Sequence, residues 1–120
     1  MTNGGADYCF ECVGMASLVQ EAYASCRKGW GKTIMLGVDR PDSQLSLNSV
    51  DVLCSGKTLV GSLFGGLKAK SDIPILAKRY MDKEVRLDDF VTHEMKFDEI
   101  NKAFKLLLDG NCLRCVMWMD

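Results

Sequence analysis

The 120-residue sequence has no apolar run approaching the roughly 20 residues that a membrane-spanning helix needs. Its opening residues, Met1-Thr2-Asn3-Gly4-Gly5, carry neither the basic nor the apolar region of a secretion signal. Neither sign of charge dominates. Fifteen Lys and Arg against sixteen Asp and Glu leave a net charge of -1, which removes the electrostatic reason to expect nucleic acid or an anionic membrane as partner. Its densest basic group, Lys68, Lys70, Lys78 and Arg79, reads as a solvated face. Low-complexity stretches and internal repeats are missing, and with 48% hydrophobic and 26% charged residues the chain is no disordered tail. Six cysteines without a secretion signal are expected to be reduced thiols in a cytoplasmic protein.

A catalytic set is also missing. Cys9-x-x-Cys12 and Cys112-x-x-Cys115 have the spacing of a four-thiolate zinc site. Both pairs fall in apolar runs of strand length, however, and residues three apart on a strand point to opposite faces. They are therefore expected to be structural cysteines. Gly29-Trp30-Gly31-Lys32-Thr33 ends like a phosphate-binding loop, but Cys26 stands where its first glycine should be. The run also leads from helix into strand, the reverse of what that motif requires. His93, the single histidine, has no nucleophile or paired acid near it in sequence and is expected to be structural. Asp98 reads as a helix cap, with Asp88 and Asp89 as loop charge.

What is present is an alternating pattern. Asp7 to Val13 is a mostly apolar run of strand length. Met15 to Lys28 places Met15, Leu18, Val19, Ala22 and Cys26 on one helical face. Arg27 and Lys28 suit the negative end of that helix dipole, and Gly29 is a stop signal. Thr33 to Val38 reads as a strand covered on both faces. Strand, helix and strand in this span predict a βαβ unit and a parallel sheet. A short apolar segment, Val50 to Cys54, precedes a third strand over Thr58 to Phe64. Beyond Gly66 the spacing predicts a helix capped by Ser71 or Asp72, with Pro74 in its first turn and a buried stripe of Ile73, Leu76, Ala77, Tyr80 and Met81. A strand over Val91 to Met95 follows. A helix opened by Asp98 comes next, with Ile100, Ala103, Phe104, Leu107 and Leu108 on one face, and then a strand over Leu113 to Met119. Glycines cluster at the strand ends: Gly14, Gly37, Gly61, Gly65 and Gly66. Ligands of open parallel sheets bind outside the carboxyl ends of the strands, where missing side chains let a flat or phosphate-bearing ligand approach the backbone. Tight turns explain the same glycines equally well.

The string from Asn3 to Gly14, NGGADYCFECVG, is similar to the fourth strand of the coenzyme domain in zinc-containing medium-chain alcohol dehydrogenases, including the glutathione-dependent formaldehyde dehydrogenase branch. The resemblance continues in order through Leu36-Gly37-Val38, Gly61 to Gly66, Thr92 to Asn101 and Gly110 to Arg114. It implies an α/β fold: residues 1–66 as the C-terminal half of a doubly wound (Rossmann) parallel sheet, and residues 67–120 as the C-terminal return segment of the catalytic domain. It further implies NAD as cofactor, with Val13 and Gly14 on the adenosine side and Leu36, Gly37 and Val38 beside the nicotinamide. Ser62 and Phe64 would offer backbone groups to the carboxamide, and Arg114 would pair with the pyrophosphate. Val38 and Leu63 would form a substrate wall for a small alcohol or aldehyde. The 50–64 segment resembles the stretch that joins two subunits by edge-strand pairing, so a homodimer is expected.

Several family features have no counterpart in this sequence. The Gly-x-Gly-x-x-Gly turn, the acidic residue for the ribose, the catalytic zinc ligands and the four-cysteine zinc lobe are all absent, and Asp39-Arg40 replaces more apolar residues. Met1 corresponds to an interior point of the family pattern. The resemblance therefore implies the C-terminal third of an NAD- and zinc-dependent alcohol dehydrogenase, inactive by itself. It also implies an exposed apolar strand edge at Tyr8–Val13 that draws the chain out of the monomeric state. Two other readings stay open: a non-catalytic product that only associates with full-length subunits, and a small cysteine-rich metal-binding module.

Overall fold

A computed structural model describes residues 2–119; the correspondence drawn for Met1 lies outside the described residues. The chain forms two compact units, Met1–Leu67 and Lys68–Asp120.

The first unit is built on three parallel strands in the order β1 (Tyr8–Glu11), β2 (Lys32–Met35) and β3 (Thr58–Gly61). Tyr8 pairs with Lys32 and Lys32 with Thr58, so the three strands run in step. Helix α1 (Ala16–Ser25) crosses from β1 to β2, and the short α2 (Ser49–Ser55) precedes β3. Side chains alternate along β1: Glu11 is buried and Cys9 half-buried, while Tyr8 and Phe10 are exposed. Helix α1 lays Val19 and Tyr23 on the inner face, and Cys26 and Thr33 complete a small core. Polar atoms in this core are paired. Tyr23 Oη lies 3.2 Å from Ser55 Oγ, and Cys26 Sγ lies 3.2 Å from Thr33 Oγ1. Lys57 closes the C-terminal end of α1 by donating to the carbonyls of Tyr23 (2.8 Å) and Ala24 (3.3 Å), a favourable place for a cation.

Helix α1 is shorter than the periodicity predicts. It stops at Ser25, because Ala6 bridges Cys26: the Ala6 N–H donates to the Ser25 carbonyl (2.9 Å) and the Arg27 N–H to the Ala6 carbonyl (2.8 Å). Strand-like pairing to a neighbour thus replaces the last helical turn. Arg27 serves Asp7 (3.4 Å) and the Trp30 ring instead of the helix end. Strand β2 ends at Met35, and of the expected double-covered run only Thr33 is buried; Leu36 and Val38 are exposed. The Val50–Cys54 segment is helical, because Asn48 caps it by accepting from the Asp51 N–H (3.0 Å) and Gly56 ends it in a left-handed turn.

The second unit holds α3 (Ala69–Met81), β4 (His93–Lys96), α4 (Ile100–Leu108) and β5 (Cys115–Trp118). Strands β4 and β5 pair in parallel from His93–Cys115 to Lys96–Trp118, with α4 as the crossover. Helix α3 begins earlier than Ser71, at Ala69, where the Asp72 carboxylate accepts the Lys68 N–H (2.7 Å). Pro74 therefore lies at the sixth helical position rather than in the first turn, leaving the Lys70 carbonyl without its usual amide. The expected buried stripe on α3 is not buried: Ile73 and Met81 are exposed, and Leu76 and Tyr80 are only half-covered. On α4 only Ala103 is buried, while Phe104, Leu107 and Leu108 are exposed.

These contrasts predict a sharp difference in urea unfolding of the chain. Val19→Ala should cost about 2 kcal/mol, as for a truncated core side chain. Ile73→Ala should change stability by less than about 0.5 kcal/mol, as at an open surface.

Candidate functional site

The carboxyl ends of β1 and β2 are joined through one residue, Glu11. Its carbonyl accepts the N–H groups of Leu36 (2.8 Å) and Gly37 (3.1 Å) from the loop after β2. Its side chain folds back so that Oε1 accepts the N–H groups of Val13 (2.9 Å) and Gly14 (2.8 Å). The Glu11 side chain is buried, and Oε2 has no partner among the described residues. The two loops consequently touch through their backbones. A methyl group on Gly14, whose φ is +85°, would stand 2.3 Å from the Val38 carbonyl oxygen. One on Gly37 would stand 2.0 Å from the Gly14 nitrogen. Both glycines are required by close approach, and the turn reading and the ligand reading of the sequence meet at the same place.

A second carboxylate completes this edge. Asp39 Oδ2 accepts the Ala16 N–H (2.7 Å) at the start of α1 and the Ser43 hydroxyl (2.7 Å), while Oδ1 accepts the Arg40 N–H (2.7 Å). The bond from Ser43, followed by that from the Arg40 N–H, holds the Asp39 carboxyl below its ordinary pKa. In sequence Asp39 is only a departure from the family pattern; in the structure it caps α1 from a distance. Glu11 and Asp39 are the two residues that sequence reasoning missed as site-builders. The available signal was a lone acid within an apolar strand. Glu11 thus takes the N–H groups of the turn before α1, and Asp39 takes that of Ala16 at the helix start.

Val13, Gly14, Leu36, Gly37 and Val38 thus lie together at the carboxyl edge of β1 and β2. Ser62, Leu63 and Phe64 follow β3 at the same edge of the sheet. Val38 is 87% and Leu63 89% exposed, which leaves two apolar side chains free for contact. The expected third strand stops at Gly61, and the chain turns through a 3-10 segment, Leu63–Gly66, in which Phe64 is left-handed (φ 50°). Ser62 spends its N–H on the Met35 carbonyl (2.9 Å) and stands at the N-cap of the 3-10 segment. Phe64 has its carbonyl taken by the Leu67 N–H (3.2 Å), leaving its N–H. Arg114 belongs to the second unit, just before β5. Its carbonyl accepts the Thr92 and His93 N–H groups, and its exposed side chain makes no ion pair among the described residues.

Zinc does not fit the donors of this chain. Among the described residues no three His, Cys, Asp or Glu side chains gather into a metal-holding group. Burial and a bond to Cys26 push the Cys9 thiol up to about 11. Cys12 and Cys112 both lie outside the strands expected to hold them, so alternation along a strand does not set the direction of either pair. His93 has Nδ1 3.0 Å from the Thr92 hydroxyl, a local contact without a catalytic partner.

A protein family described as zinc-binding dehydrogenase matches residues 1–82. The chain is 73% identical to alcohol dehydrogenase-like 7 of Arabidopsis thaliana over 119 residues, which is 99% of this chain and 30% of the relative. The chain thus spans about a third of the length of the relatives it matches. Its fold superposes on benzyl alcohol dehydrogenase from Acinetobacter calcoaceticus with a TM-score of 0.81 at 25% identity, covering 98% of this chain and 32% of that one. It is also similar to a zinc-binding dehydrogenase of Sinorhizobium meliloti 1021 solved bound to NADP, with a TM-score of 0.68 at 21% identity, covering 84% and 28%.

Two substitutions test the geometry of this edge. Gly37→Ala should destabilise the chain by about 2–3 kcal/mol or more, since backbone rather than a flexible side chain obstructs the methyl group. Asp39→Asn should lower the unfolding midpoint at neutral pH. A depressed folded-state pKa contributes stability that is present above the unfolded value and lost as pH falls through the folded one. The difference between Asp39→Asn and the parent should therefore close as unfolding is repeated at increasingly acid pH.

Proposed function

The chain belongs to the zinc-binding dehydrogenase family, and we propose that it forms the nicotinamide-side part of the coenzyme site in an NAD-dependent alcohol dehydrogenase, acting within a longer polypeptide. The observation that carries this reading is the edge where the Gly14 and Gly37 backbones meet, flanked by the exposed side chains of Val38 and Leu63. In this reading residues 1–66 are the second half of the dinucleotide-binding domain, and residues 67–120 return to the catalytic domain. The nicotinamide coenzyme, when bound, accepts or gives the hydride that interconverts a primary or secondary alcohol and its carbonyl product.

Each residue then has a physical task. A carboxamide presents one acceptor and one amino donor. The Phe64 N–H and the Ser62 carbonyl, both in the turn after β3, are a complementary donor and acceptor for it. Leu36, Gly37 and Val38 run beside the ring, where the absent side chain of Gly37 permits flat contact. Val13 and Gly14 support the adenosine side through shape, their N–H groups being held by Glu11. Val38 and Leu63 exclude water from the substrate as an apolar wall. Arg114 supplies the planar guanidinium suited to a pyrophosphate. No part of the chemistry is assigned to zinc bound by these residues.

A second reading rests on β3. Among the described residues it is an edge strand, bonded to β2 alone, and Val50, Leu53, Val60 and Leu63 near it are exposed. Pairing of this edge with a second subunit would cover them, giving a homodimer, or a non-catalytic product that joins longer dehydrogenase subunits. A cytoplasmic setting accords with this, and no described helix is long and apolar enough to cross a membrane.

Extending the transcript in the 5′ direction distinguishes the readings. Continuation into a Gly-x-Gly-x-x-Gly turn and zinc-ligand motifs supports the dehydrogenase; a start at Met1 leaves the associating product. In the active enzyme that contains this segment, Arg114→Ala should raise the KM for NAD about 10- to 100-fold, the value of a charge-assisted bond, with a smaller effect on kcat.

A further inference from the structure

Sulfur is concentrated in one groove of the second unit. Cys112, Cys115 and Met117 line it, with Arg114 between the two cysteines and Phe104 and Leu107 of α4 forming the far wall. Cys115 and Met117 are two apart on β5 and so share a face. Cys112 joins them because it lies outside the strand and the chain bends at Leu113. That bend is held from β4's side. The Thr92 hydroxyl accepts the Leu113 N–H (3.1 Å), and its oxygen also lies near His93 Nδ1 (3.0 Å), the Arg114 carbonyl (3.3 Å) and Cys112 Sγ (3.5 Å).

We propose that Cys112, Cys115 and Met117 form a binding site for a soft monovalent cation, Cu(I) or Ag(I). Two thiolates and a thioether are the donor set such ions select over harder ligands. Cys115 Sγ lies 3.7 Å from Met117 Sδ. Two sulfurs each about 2.3 Å from one ion at trigonal or tetrahedral angles stand roughly 3.8–4.0 Å apart, so this gap needs little adjustment. All three residues are half-buried, which shields the site while leaving it reachable. Charge also balances: two thiolates around one monovalent ion leave a single negative charge, and Arg114 lines the same groove. Two sulfur–metal bonds form from thiolates, two thiol protons pass to solvent, and Met117 adds a neutral sulfur without any change in oxidation state. The three sulfur ligands are none of the residues assigned to the coenzyme, and only Arg114, beside the groove, is common to both readings.

The test is a titration of the full chain carrying Cys12→Ser and Cys54→Ser, which removes the exposed thiols outside the groove. Cu(I) is supplied anaerobically from a chromophoric chelator, and its transfer is read by the chelator's absorbance. One ion per chain is expected, lost in Cys112→Ser and in Cys115→Ser, bound more weakly in Met117→Leu, and unchanged in Val116→Ala on the opposite strand face. A parallel measurement needs no groove variant: Ag(I) should protect Cys112 and Cys115 of the unmutated chain from iodoacetamide, read by peptide mass mapping. Failure to take up Cu(I), uptake that survives both cysteine substitutions, or alkylation of Cys112 and Cys115 unaffected by Ag(I) would each overturn the proposal.

Discussion

Four backbone N–H groups at the carboxyl edge of the first sheet end on Glu11, two on its carbonyl and two on its carboxylate. Strand ends and loop starts normally leave such donors to water or to a ligand. Here one side chain turns inward, accepts the turn that follows its own strand, and so fixes the height at which that turn meets the loop after β2. The close approach of Gly14 and Gly37 is a consequence, because two loops held to one residue have no space left for a Cβ between them. Asp39 applies the same principle one layer out, tying the second loop to the first turn of α1. The edge is therefore rigid through internal pairing, which is the condition for a surface that recognises a flat ligand by shape.

Much of this was legible in the sequence. The parallel strands and the crossover helix follow from apolar periodicity and turn residues, because local pattern and final packing agree there. The discrepancies share a cause. Helix α1 stops at Ser25 because Ala6, some twenty residues earlier, competes for its backbone; periodicity contains no record of that competitor. Glu11 looked like an ordinary strand residue, since its value depends on where its side chain folds rather than on its neighbours in sequence. Asp39 looked anomalous for the same reason. On α3, a correct apolar stripe does not imply burial, because burial needs a covering surface and this unit supplies none to Ile73 or Met81. The cysteine spacing was read on the premise of unbroken strands. One bend at Leu113 was enough to bring Cys112 and Cys115 into the same groove.

The two units differ in how they use polar atoms. In the first, buried hydroxyls and thiols are matched one to one, Tyr23 with Ser55 and Cys26 with Thr33, so the small core also fixes register. In the second, the Thr92 hydroxyl gathers several partners of one turn, and Trp118 Nε1 reaches Glu94 Oε2 at 3.0 Å across the strand pair. Both devices stiffen strand entrances and exits.

The parallel pairing of all five strands sets the order in which the chain can acquire structure. Among the described residues no two neighbouring strands are joined by a hairpin, so no ladder there can begin at a turn and zip outward. Each pair must wait until a whole intervening segment has closed on itself, an entropic cost incurred before any sheet bond repays it. A nascent chain of this kind emerges with helices able to form early and strands that stay single for longer. The ladder between Tyr8–Glu11 and Lys32–Met35 therefore cannot start until the second of these strands has left the ribosome.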